Sequence, residues 1–145
     1  HVESLQEYAL RLLRELEARQ LWQKNQVKEY YVELTDIVRN YIEARFQTTA
    51  MELTTDEMLA KSLEMKELQP YHELLAKILP TADLAKFAKF RPMPEIHTET
   101  LESARQLINR SRPVMETPPQ PDKTVETGTE NKPDNIKPDN TNPSA

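Results

Sequence analysis

The chain has 145 residues, room for one domain of ordinary size, with 30% charged and 37% hydrophobic residues and a mean hydropathy of −0.76. Its formal net charge is −5. Residues 1–112 carry 16 Lys/Arg against 18 Asp/Glu and residues 113–145 three against six, so neither part has the positive excess that grips a phosphate backbone. Cysteine is absent, which excludes disulfides, thiolate metal sites and a thiol nucleophile, and no apolar run approaches the ~20 residues that span a bilayer.

Taken in order, Ser4-Leu5-Gln6-Glu7 has capping-box spacing and opens a first helix from about Ser4 to Trp22. Leu5, Ala9, Leu12, Leu13 and Leu16, with Ala18 or Leu21, supply its apolar stripe, while Glu7–Arg11 and Glu15–Arg19 are acid-first pairs four residues apart on the wet side. Gln23 to Gln26 reads as a turn, with Asn25 the residue that best tolerates a left-handed backbone. A second helix follows from about Gln26 to Phe46, with Val27, Tyr30, Tyr31, Leu34, Ile37, Val38, Tyr41 and Ile42 inward. Lys28, Glu29, Glu33, Asp36, Arg39 and Glu43 mark the other side. So short a link makes the two helices an antiparallel hairpin.

Residues 47–53 form a connector whose Ala50 and Met51 fold onto that hairpin. Thr54-Thr55-Asp56-Glu57 then starts a third helix through a second capping box, with Met58, Leu59 and Leu63 as its apolar face. Pro70 suits the first turn of a fourth helix containing Tyr71, Leu74, Leu75, Ile78 and Leu79. Pro80 predicts a break or kink, then a fifth segment over 81–90 that buries Leu84, Phe87 and Ala88, with Phe90 a further candidate. Arg91-Pro92-Met93-Pro94 reads as an extended spacer before a last helix from about Glu95 to Arg110, packed through Ile96, Leu101, Ala104, Leu107 and Ile108. No stretch alternates with a period of two. The expected fold is all-α, a small bundle of five or six helices built on an antiparallel helical hairpin, spanning 1–112. Residues 113–145 hold seven of the eleven prolines, the single glycine and no aromatic residue, and are expected to be a disordered tail in which Lys132-Pro133-Asp134-Asn135 recurs as Lys137-Pro138-Asp139-Asn140.

Chemistry is sparse. His72-Glu73 opens like a helical zinc motif, but position 76 is alanine, so His72 is read as a helix-start residue. His1 and His97 are assigned to a terminus and a loop without acidic partners. A lone glycine in the tail excludes phosphate-binding glycine loops, and the carboxylates read as solvated helix faces. Asn109-Arg110-Ser111 matches a glycosylation sequon but falls on a helix. Tyr41 and whichever of Tyr30 and Tyr31 faces inward are read as core rather than a stacking platform, and Trp22 stands between core and recognition surface. Lys86, Lys89 and Arg91 form a small basic group, read as an ordinary solvated face in preference to a weak contact for an anionic surface. A helix-turn-helix reader is disfavoured because the fourth helix begins Pro70-Tyr71-His72-Glu73, without basic residues. These residues predict no enzyme, no cofactor, no metal and no nucleic-acid partner.

Several stretches together resemble a known family: Leu21-Trp22-Gln23, Lys28-Glu29-Tyr30-Tyr31, Leu34-Thr35-Asp36-Ile37 and Thr54-Thr55-Asp56-Glu57. Ala50-Met51-Glu52, Ala82-Asp83-Leu84 and Lys86-Phe87-Ala88-Lys89 add to them. Over 1–112, though not the tail, the chain is similar to the cytosolic helical domain of uncharacterised Bacteroidetes membrane proteins. Those are encoded beside a MoxR-type AAA ATPase and von Willebrand A-domain proteins in the Bat (aerotolerance) clusters. The resemblance implies an extracytoplasmic β-rich region, one membrane span and then this domain on the cytoplasmic face, which agrees with reading HVESLQEY, without an initiator methionine, as a cut edge. It implies a non-enzymatic interaction domain that helps assemble the ATPase/A-domain complex; a structural spacer or an oligomerisation domain is the alternative. Asn25 and Gln47 stand where similar proteins tend to have glycine, so the exit of the second helix is expected to differ. The candidate partner-binding residues are Trp22, Lys28, Arg39, Lys86, Lys89 and Arg91.

Overall fold

Hydroxyl caps set where the first and third helices begin. Ser4 Oγ accepts the Glu7 N–H at 3.0 Å while the Glu7 carboxylate accepts the Ser4 N–H, and Thr54 and Glu57 repeat the exchange fifty residues on. The computed structural model describes residues 2–87 and 91–113, so the expectation of a disordered tail beyond 113 lies outside the described residues. Five α-helices are described: α1 Leu5–Arg19, α2 Val27–Phe46, α3 Thr55–Glu64, α4 His72–Phe87 and α5 Pro94–Arg110, with a 3-10 turn at Gln69–Tyr71. The fold is all-α, with no strand among the described residues. No described helix is long and apolar enough to cross a membrane.

The long helix α2 is central, packing against α1, α4 and α5. Tyr30, Tyr31, Leu34, Val38, Tyr41 and Ile42 are all buried along it, so both candidate tyrosines face inward. α1 ends at Arg19, three residues short of Trp22, because Gln20 turns left-handed (φ 54°) and donates its N–H to the Glu17 carbonyl. Asn25 is left-handed as expected (φ 66°). On the wet side Arg11 grips Glu3 and Glu15, and Arg19 crosses to Glu33 on α2. The two expected pairs are thus exchanged for others: Arg11 turns to Glu3 and Glu15 rather than Glu7, and Arg19 bonds between helices rather than to Glu15.

Gln47, the residue that ends α2, also adopts the left-handed conformation (φ 53°). That geometry costs roughly 1–2 kcal/mol, and the connector supplies compensation. Glu43 accepts the N–H groups of Ala50 and Met51, Arg39 donates to the carbonyls of Ala50 and Leu53, and Lys61 reaches Thr48 and Thr49. Arg39 and Glu43, expected on the wet face, are therefore half-buried under the connector.

Pro80 does not break the helix: α4 runs through it to Phe87. A proline inside a helix costs about 3 kcal/mol. Burying Leu74, Leu75, Ile78 and Leu79 on one face of α4 outweighs that, at roughly 1.5–3 kcal/mol each. The unbroken helix also fixes the phase beyond the proline. Ala82 and Ala85 enter the core, and Leu84 and Phe87, expected inward, point out at 48% and 74% exposure. Ala88 and Phe90 lie outside the described residues. On α3 the same periodicity puts Ser62, four residues after buried Met58, in the position expected of Leu63, which is exposed. Pro94 serves as the first residue of α5, after extended Met93.

Candidate functional site

Two regions hold the polar and aromatic groups from which a site could be built. The first is the seam between α2 and α5. His97 is not in a loop: it lies one turn inside α5, on the stripe of His97, Leu101, Ala104 and Ile108, and is 3% exposed. Its Nδ1 lies 2.7 Å from the Tyr31 hydroxyl, and its backbone carbonyl accepts the Tyr30 hydroxyl at 3.1 Å. Burial lowers the imidazole pKa and pushes the Tyr31 phenol up to about 12. Both rings are thus held neutral, and the short contact between them shares a single proton. Trp22 closes the cluster, half-buried, with its ring centroid 4.9 Å from that of His97. Further along, Tyr41 reaches Ser111 Oγ, Arg45 donates to the Ser111 carbonyl and Tyr71 to that of Arg110, so the orphan carbonyls ending α5 are satisfied by side chains. Every one of these contacts serves packing or capping. Ser111 is buried, so the sequon is folded into the C-terminal end of α5.

Ser62 and His72 form a second, part-buried contact, Oγ to Nδ1 at 2.7 Å, that resembles a nucleophile with its base. Ser62 is 0% exposed and also donates to the Leu59 carbonyl, so no substrate carbonyl can approach its oxygen. The pair ties the start of α4 to α3. Among the described residues no group of three or more His, Cys, Asp or Glu is placed to hold a metal ion.

The second region is a groove of ≈ 550 Å³ between the start of α2 and the end of α4, lined by Asn25, Val27, Lys28, Glu29, Ala85, Lys86, Phe87 and Arg91. It gathers three of the six residues singled out from the sequence, Lys28, Lys86 and Arg91. Arg91 donates to Asn25 Oδ1 at 2.6 Å, and Lys86 Nζ lies 5.5 Å from the Phe87 ring centroid and 3.4 Å from Thr35 Oγ1. Lys86 and Phe87 also line an adjoining depression of ≈ 360 Å³ with Thr35, Asp36, Arg39 and Asp83. Of the other three, Arg39 reaches that depression but spends its guanidinium on connector carbonyls, with its pKa lowered by burial. Trp22 packs on His97, and Lys89 lies outside the described residues. Phe87 was missed as a surface residue because a break at Pro80 would have rotated it inward. His97 was missed although its spacing to Leu101 and Ala104 put it in phase with the core.

Comparison with protein-family models, curated proteins and solved structures finds no match.

Proposed function

We propose that the chain is a non-enzymatic protein-interaction domain, and that it works on the cytoplasmic face of a larger membrane-anchored protein to assist assembly of a MoxR ATPase/von Willebrand A-domain complex of the Bat type. The observation that carries the interaction reading is Phe87, an aromatic ring 74% exposed at the mouth of a groove rimmed by cations. Exposed aromatics next to concave surfaces are the anchors through which protein interfaces gain most of their energy. The choice of partners rests on the sequence resemblance across 1–112. The test immobilises the 145-residue chain and offers it the purified ATPase and A-domain proteins encoded beside its gene. Retention of either, lost in Phe87→Ala, supports the reading; retention of neither removes it.

The spacer or oligomerisation alternative has an observation of its own. Leu12, Leu16 and Ile37 line a shallow depression on the outer face of the α1–α2 hairpin, and Tyr8 is 47% exposed on α1. Self-association through that face predicts a mass that rises with concentration in sedimentation and falls back in Leu12→Glu. A strict monomer at high concentration removes it.

A further inference from the structure

We infer that the groove between α2 and α4 takes an acidic segment of a partner protein, one that lays an apolar side chain on Phe87 and carboxylates on Lys28, Lys86 and Arg91. This deepens the interaction-domain reading and rests on it.

Charge carries the inference. Elsewhere on the domain three arginines are matched by carboxylates, Arg11 by Glu3 and Glu15, Arg19 by Glu33 and Arg105 by Glu17 and Glu102, and what sets the groove apart is that three unmatched cations line it together. Among the described residues neither Lys28, Lys86 nor Arg91 has a carboxylate within 4.0 Å, although carboxylates outnumber cations over 1–112. Arg91 and Lys86 turn instead to neutral oxygens, of Asn25 and Thr35. Among the described residues Glu29 is the one acid lining the groove. The start of α2 adds to the positive side, since Gln26 provides no side-chain cap and the N–H groups of the first turn are left without one.

Shape and the apolar contribution select the kind of partner. Phe87, with Val27 and Ala85 beside it, offers a surface that gains only by being covered, and Lys86 beside the ring holds a cation where a carboxylate flanking the apolar anchor would fall. Past Phe87 the adjoining depression is mixed in charge, with Asp36 and Asp83 beside Arg39 and Lys86. A uniformly anionic occupant, a bilayer surface or a nucleic-acid backbone, would meet those carboxylates, and a flat bilayer would not enter the concavity. A peptide can place its acids over the basic end and neutral or basic residues over the other.

A displayed library of random peptides about twelve residues long, long enough to fill such a trough, is selected against the 145-residue chain and against its Lys28→Glu/Lys86→Glu variant. Both proteins are checked for equal helicity by circular dichroism. The expected winners carry two or more Asp/Glu around one Leu, Ile or Phe. Their affinity should fall about tenfold or more in the charge-reversed chain and fall further with added salt, and Phe87→Ala should weaken them independently. Winners without an acidic excess, or acidic winners that bind the charge-reversed chain equally, overturn the inference. So does binding to phosphatidylserine-containing vesicles in the absence of any selected peptide. If the ATPase or A-domain protein is retained equally by the charge-reversed chain, the groove is wrong while the interaction reading stands. If acidic peptides bind but neither protein does, the groove stands and that assignment of partners fails.

Discussion

The α2–α5 seam and the α2–α4 groove draw on the same helix for opposite ends. In the seam, polar atoms are brought together from residues about seventy positions apart and satisfy one another: Tyr31 with His97, Tyr30 with a backbone carbonyl, Tyr41 with Ser111. In the groove, a ring and three cations stand at the surface, and among the described residues none of the three has a carboxylate within 4.0 Å. A buried polar group left unpaired is expensive, so the seam had to be completed within the chain; an exposed one is solvated and can wait for a partner. Chemical conspicuousness is therefore a poor guide here. The histidine with tyrosines around it is structural, and the plainer lysines and phenylalanine are the surface available for binding.

The largest test of that contrast is Tyr31→Ala, which empties a fully buried site and strips His97 Nδ1 of its hydrogen-bond partner. It should cost about 3–5 kcal/mol in urea denaturation, on the scale of other buried aromatic truncations. Tyr31→Phe keeps the ring and loses only the hydroxyl, so its cost should be roughly 1–3 kcal/mol. Arg39→Met probes a residue that lines the depression adjoining the groove yet bonds to the connector. If its guanidinium serves the connector, stability should drop by about 1–3 kcal/mol as the carbonyls of Ala50 and Leu53 lose their donor, with little change in partner binding.

The pH dependence has a definite sign. His97 has its pKa lowered by burial, so the unfolded chain, near 6.5, takes up a proton that the native state resists. Its contribution is full above pH 6.5 and is lost as pH falls toward the depressed native value. Glu43, held below the usual carboxylate range by the N–H groups of Met51 and Ala50, adds a second loss that begins only around pH 4.5. Denaturation midpoints between pH 7.5 and 5 should therefore decline in the natural chain and flatten in His97→Gln. A decline of equal size in the variant would contradict this assignment. The smallest stability effects belong to the groove: Phe87→Ala and Lys86→Glu should stay within about 0.5 kcal/mol of the parent while weakening partner binding. If they unfold the domain, the division between the two regions collapses.

Local signals settled much of this protein in advance. Two capping boxes placed the starts of α1 and α3, Asn25 marked the turn of the hairpin, and the stripe from Tyr30 to Ile42 identified the helix that everything else packs on. These features depend on neighbours within a few residues, and such contacts are written into residue order. The tertiary structure decided what order alone leaves open. Proline at position 80 disfavours a helix locally, yet burial of the residues on either side kept α4 continuous, and that continuity turned Leu84 and Phe87 outward and made the groove. Gln47 accepted a left-handed backbone because Glu43, Arg39 and Lys61 hold the loop behind it. Lys28, Lys86 and Arg91 share a groove because α2 lies against α4. Packing free energy summed over many buried side chains exceeds any single local preference, so the positions where the two conflict could be resolved only in three dimensions.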